Sequence, residues 1–179
     1  MAKKGAMELS MNMLVVIILS LVILAGGVAF LYKLIAGAEQ IKTDLDSRTQ
    51  AELERLLVEQ GQQVALPFRQ ATINRGEHHV FGLGIFNIGE GQEFHIKVTL
   101  SSAVNEQNEE IGVTAEEVQD WLLYDAKQFT MAENEHHSKG ILINVPKTAA
   151  SGQYIFGVEV LTEDEGKYGN AQLIVVKVT

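Results

Sequence analysis

Glu93-Phe94-His95-Ile96-Lys97-Val98-Thr99-Leu100 is the stretch that decides the fold. Phe94, Ile96, Val98 and Leu100 alternate with Glu93, His95, Lys97 and Thr99, a period of two that sends one set of side chains into a core and the other to water. The alternation recurs on both sides of it. It is present in Phe81-Gly82-Leu83-Gly84-Ile85, Ile141-Leu142-Ile143-Asn144-Val145, Tyr154-Ile155-Phe156-Gly157-Val158-Glu159-Val160 and the closing Leu173-Ile174-Val175-Val176-Lys177-Val178. With the shorter candidates Gln63 to Leu66, Arg69 to Ile73 and Gln128 to Met131, about seven to nine strands are available. Turn chemistry separates them at Asn87-Ile88-Gly89-Glu90-Gly91, Ala150-Ser151-Gly152 and Glu165-Gly166-Lys167-Tyr168-Gly169-Asn170.

So many short strands with almost no helix between them indicate an antiparallel sandwich over residues 62–179. One helical turn interrupts the series. Thr114-Ala115-Glu116-Glu117 has the spacing of a capping box, in which the first side chain and the fourth each bond the other's backbone N–H. Trp121 follows with Leu122 and Leu123, which marks it as a core plug rather than a ligand platform.

Upstream the composition changes. Met13 to Tyr32 is a run of 20 residues without a charged side chain, apolar on every side of a helix, and at about 1.5 Å per residue it matches a hydrocarbon core of roughly 30 Å. A transmembrane helix over 13–35 is therefore expected, with Lys3 and Lys4 at one membrane interface and Tyr32 and Lys33 at the other. The lysine distribution favours a cytoplasmic segment 1–12 and an extracellular C-terminal domain. Residues 36–61 are polar and helix-friendly, which predicts a stalk; Thr49 and Glu52 suggest a helix start near Gln50, and Gly61 its stop. The expected class is α+β, a long N-terminal membrane helix and stalk followed by the sandwich.

Charge and chemistry exclude several functions. Fourteen Lys and Arg stand against 23 Asp and Glu, a formal charge of −9, and from Gln62 onward 16 acids face 8 bases. Such a surface repels phosphate backbones, so nucleic acid is not an expected partner. The absence of cysteine removes disulfides, thiolate metal sites and thiol nucleophiles. No nucleophile elbow, phosphate-binding glycine loop or metal-binding histidine helix occurs, so no catalytic residue, cofactor or metal is expected and an enzyme has no support. His78-His79, His95 and His136-His137 read as exposed strand-end and loop residues, because neighbours in a strand point to opposite faces. Glu106 to Glu110 and Glu163-Asp164-Glu165 read as solvated hairpin tips, lacking the alternating oxygen spacing of a calcium loop.

Two resemblances add to this reading. The order Lys3-Lys4-Gly5, small Ala6, acidic Glu8 and then the apolar run resembles the class III signal of type IV pilin-like proteins, particularly archaeal ones. That resemblance implies a prepilin-type signal at 1–5, cleavage after Gly5, Ala6 as the new terminus, and Glu8 as the carboxylate that pairs with an amine. Val145-Pro146 through Gly152 and Tyr154, followed by Phe156, Val158 and Val160, looks like the end of an immunoglobulin-like domain of prokaryotic cell surfaces. Three fates of the N-terminus fit the residues: an uncleaved anchor, a cleaved secretory signal with Ala36-Gly37-Ala38 as its site, and pilin-type processing. The expected function is a non-enzymatic, single-pass anchored protein displaying its sandwich for surface interaction or envelope structure. The alternative is a pilin-like subunit or accessory of a surface filament. The partners expected are membrane lipid and other surface proteins or copies of the chain.

Overall fold

A computed structural model of the chain describes residues 13–24 and 47–179. The chain divides into two compact units, Met1–Glu39 and Gln40–Thr179. In the first, residues 13–24 are helical and every one of them is exposed. Ser20 adds no polar face, because its hydroxyl donates back to the Val16 carbonyl at 2.7 Å.

These residues correct the expected membrane span. Among the described residues no helix is long and apolar enough to cross a membrane. A single-pass anchor with a cytoplasmic N-terminus and an extracellular C-terminal domain is thus not supported, and the rest of the expected span 13–35 lies outside the described residues.

Among its described residues the second unit has nine strands: β1 (Val64–Ala65), β2 (Gln70–Ile73), β3 (His78–Phe86), β4 (Gln92–Val104), β5 (Leu122–Tyr124), β6 (Phe129–Met131), β7 (His136–Asn144), β8 (Gly152–Thr162) and β9 (Lys167–Val178). They form two sheets, ordered β1-β3-β7-β5 and β2-β9-β8-β4-β6. The pairing is not wholly antiparallel, because β2 runs parallel to β9, with Gln70 beside Val175 and Ile73 beside Val178. The expected fold class is therefore corrected twice: the described chain is mostly β with a few short helices, and its larger sheet is mixed.

The stretch quoted first is the middle of β4. Phe94, Ile96 and Val98 are buried between the sheets, against Tyr154, Phe156, Val158 and Val160 of β8 and Ile174 and Val176 of β9. Phe81, Leu83 and Ile85 of β3 and Ile141 and Ile143 of β7 close the core from the other sheet. The alternation that buries every second residue is what the β pleat requires.

Residues 36–61, expected as a solvated stalk, are described from Ser47, and there they lie on the sandwich. Helix α1 (Ser47–Glu54) continues into a π-helical turn, Arg55–Glu59, and ends at Gly61 with φ 64°. Leu53 and Leu57 are each 1% exposed and form a second core with Ala65, flanked by Leu56 and Phe86. The outer face of β3 admits them because Gly84 lacks a side chain: a Cβ there would stand 2.7 Å from Leu53 Cδ2 and 2.7 Å from Leu57 Cδ1. Thr49 sits inside α1 instead of capping a helix near Gln50, and Glu52 pairs with Arg55.

Helix α2 (Ala115–Gln119) has the cap its sequence announced. Thr114 Oγ1 accepts from Glu117 N at 3.2 Å, and Glu117 Oε2 accepts from Thr114 N at 2.8 Å. The Thr114 backbone N–H, and after it the Thr114 hydroxyl that donates to Oε2 at 3.1 Å, hold the Glu117 carboxyl below its ordinary range.

Candidate functional site

The histidines do not converge. His78 pairs with Asn144 and His136 with Phe86, so the two histidine pairs occupy opposite ends of the β3–β7 ladder, and His95 belongs to the other sheet. Among the described residues no three His, Asp or Glu side chains are grouped to hold a metal ion. His95 lies on the outer face of β4, where its Nε2 stands 3.6 Å from a Glu165 oxygen and its Nδ1 is buried without a partner.

The acidic loops are organised by their own backbones. Asn105 Oδ1 accepts from Gln107 N at 2.9 Å and Glu109 N at 2.8 Å, while Asn108 takes φ 61°. The loop's amide oxygen is thereby spent on turn geometry. In the other loop Glu165 takes φ 59° and closes the β8–β9 hairpin through its N–H to Thr162 O.

Trp121 is 8% exposed and packs against Tyr154, the rings tilted at 51° with centroids 4.9 Å apart. Tyr154 donates to Ala150 O at 2.9 Å, and burial pushes its hydroxyl pKa up against the smaller opposing pull of Arg75. A groove of mixed character beside the indole is lined by Ile111, Val113, Pro146 and Ala149 together with the polar Glu117 and Asp120.

The most elaborate polar arrangement was not foreseen in the sequence. Odd residues of β7 face inward, and two of them, His137 and Lys139, are polar. The Lys139 ammonium lies 4.3 Å from the Phe129 ring centroid and 3.2 Å from Asp125 Oδ2. His137 stacks on the same ring at 5.7 Å and hydrogen-bonds Glu135 at 2.8 Å. Burial alone would raise the Asp125 carboxyl, but the Lys139 ammonium and the Lys127 N–H outweigh it and hold it low. Glu135 is held low first by the Ala132 N–H and then by His137. A warning was present, because Lys139 precedes Ile141 and Ile143 in the same alternation.

Asn87, read as a turn residue, is fully buried. Its Nδ2 donates to Glu90 O at 2.8 Å and Ala132 O at 3.1 Å, and its Oδ1 accepts from Gly89 N at 3.1 Å. It ties the β3–β4 turn to the β6–β7 turn. The signal-type residues Gly5, Ala6 and Glu8, and the interface residues Lys3, Lys4, Tyr32 and Lys33, lie outside the described residues.

The fold defines the chain as a two-sheet β-sandwich protein, and comparison with known proteins takes it little further. No family model matches it, and no curated protein does. Among solved structures it is similar to a family 123 glycoside hydrolase from Clostridium perfringens, at TM-score 0.46 and 13% identity over 64% of the chain. The match spans only 23% of that enzyme. It is similar also to the ASH or PapD-like domain of human CEP192, at TM-score 0.43 and 14% identity, covering 65% of this chain and 85% of that one. The periplasmic chaperone SfaE matches at TM-score 0.37 and 11% identity, covering 65% and 57%. With no membrane-crossing helix among the described residues, the expectation of a transmembrane, pilin-like protein is corrected.

Proposed function

We propose that the chain is a non-enzymatic β-sandwich protein that works by association with other protein chains, copies of itself first among them. One observation carries this reading. Every described residue from Met13 to Leu24 is exposed, and all but Ser20 are large and apolar. Contiguous apolar surface of this kind marks an interaction site, because each such side chain gains about 1.5–3 kcal/mol on full burial. A helix that is apolar all round needs cover on every side, which several helices packed together supply and a single groove does not. The net charge of −9 argues against nucleic acid as the partner.

The test is sedimentation velocity on the full-length chain in aqueous buffer. Assembly is expected, falling to single chains when Ile17→Lys and Leu21→Lys are introduced together. A wild-type chain that sediments singly while its amides at 13–24 exchange freely with solvent would overturn the proposal.

A further inference from the structure

A polar groove of about 660 Å³ opens where the segment before β1 meets the bulged part of β9, and Gln62, Gln63, Arg69, Ile88, Asn170 and Gln172 line it. Its floor is built by a break in register. Between Val158 and Val160 of β8 the partners on β9 jump from Gln172 to Tyr168, and Gly169 takes φ 66°, a left-handed conformation suited to glycine. A Cβ at Gly169 would also meet Val64 Cγ2 at 2.9 Å, so the close approach of β1 fixes the bulge.

The break leaves Gln172 in a fixed orientation. It is 7% exposed, and its Nε2 donates to Asn170 O at 3.0 Å and Val64 O at 3.4 Å. Both partners are carbonyls, so the amide is held with nitrogen toward them and oxygen away from them. Among the described residues Oε1 has no partner, yet it is not one of the atoms sealed from solvent, which leaves it a preoriented acceptor on the groove. Arg69 supplies the complement. Its backbone carbonyl accepts from Val175 N at 2.7 Å and its Nε donates to Leu66 O at 3.3 Å. No described carboxylate pairs with its guanidinium, although the chain as a whole is strongly acidic. Ile88 stands at the rim, 51% exposed, its N–H held by the Tyr168 hydroxyl at 3.0 Å.

We infer that this groove binds the carboxyl-terminal end of a peptide with an aliphatic last residue. A bare anion would use Arg69 but would be repelled by the Gln172 oxygen. A chain terminus offers both halves at once, a carboxylate for the guanidinium and an adjacent amide N–H for the acceptor. The aliphatic side chain of the last residue meets Ile88. A sugar would look for a ring to stack on, and no aromatic residue is among those lining the groove. The site is independent of the helix-mediated association proposed above.

The experiment titrates the full-length, nitrogen-15-labelled chain, held in neutral detergent to cover residues 13–24, with N-acetyl-Gly-Gly-Val as the free acid and as its carboxyl-terminal amide. The signals read are the Arg69 Nε–H and the Gln172 side-chain amide. Saturating shifts are expected with the acid, and affinity weakens by about tenfold or more on amidation or in Arg69→Gln. Arg69→Lys, which keeps the charge but loses the planar fork, falls between. Equal affinity for acid and amide, unchanged binding in Arg69→Gln, or saturation by acetate alone at the same affinity would each overturn the inference.

Discussion

Lys139 and Phe129, from different sheets, face each other across the mouth of the sandwich, the ammonium 4.3 Å from the ring centroid and only 8% of the lysine exposed. Asp125 anchors the same ammonium from the β5–β6 crossover, so one cation holds three segments of chain. Such a pair is retained by its partners more than by its own strength, because removing water from the charge offsets much of the attraction. Lys139→Met, which keeps the stem and removes the charge, should therefore stay within about 1 kcal/mol of wild type. Asp125→Ala, which strands the cation, should cost about 1 kcal/mol, the half-exposed carboxylate limiting the loss. Urea unfolding of both variants checks the order; a Met variant less stable than the Ala variant would contradict it.

The same corner sets the acid limit. Asp125 and Glu135 both titrate below their ordinary values in the folded chain. The stability they add is complete above the usual carboxylate range, about pH 4, and is lost as pH falls through their lowered folded values. Melting temperatures measured from pH 7 to pH 3 should fall less steeply in the Asp125→Asn, Glu135→Gln double variant than in wild type. Parallel curves would show that other carboxylates set the limit.

Gly84 is the seat of the helix. A methyl group there meets Leu53 and Leu57 at 2.7 Å, so Gly84→Ala should destabilise by about 1–3 kcal/mol through overpacking. Adding Leu57→Ala to that variant should cost less than Leu57→Ala costs in wild type, because the truncated side chain makes room for the methyl. Strict additivity in this double-mutant cycle would mean that the helix does not pack where described.

Shortening the chain tests the same contact differently. A fragment of residues 62–179 lacks Leu53 and Leu57 and exposes Ala65, and it should be less stable than 47–179 by up to about 3–6 kcal/mol. Equal melting temperatures would show that the helical layer contributes nothing.

Helix α2 offers a local control. Thr114→Ala removes the acceptor for Glu117 N and should cost about 1 kcal/mol, while Thr114→Ser should restore most of it. Thermal melts of the two variants suffice.

The strands were legible because burial in a sheet imposes a period of two, and Phe94-His95-Ile96-Lys97-Val98 obeys it without exception. β5 was not, since Leu122-Leu123-Tyr124 is apolar throughout and its pairing with Ile141 to Ile143 is a long-range fact. The parallel register of β2 on β9 is equally invisible, because strand direction leaves no mark on local composition. The helix over Ser47–Glu54 looked like a solvated spacer because Leu53 and Leu57 are too few to announce a buried face; what buries them is the missing side chain at Gly84, a residue far along the chain. At the polar sites the sequence named Asn87 for its turn, but neither the second turn that it grips nor the Lys139 cluster. Gln172 gave no signal at all, because its orientation depends on a bulge that no local pattern announces.

The parallel pairing of β2 with β9 has a mechanical consequence. Tension applied upstream of Gln70 and at Val178 would drag these two strands past each other along their length, so the ladder is loaded in shear and its bonds bear the force together. The contacts Val175 N to Arg69 O, Thr179 N to Ile73 O and Arg75 N to Thr179 O lie along that line. A hairpin pulled from its open end would instead unzip bond by bond. The geometry makes the sandwich a clamp against stretching between its first strands and its last, whatever load its neighbours transmit.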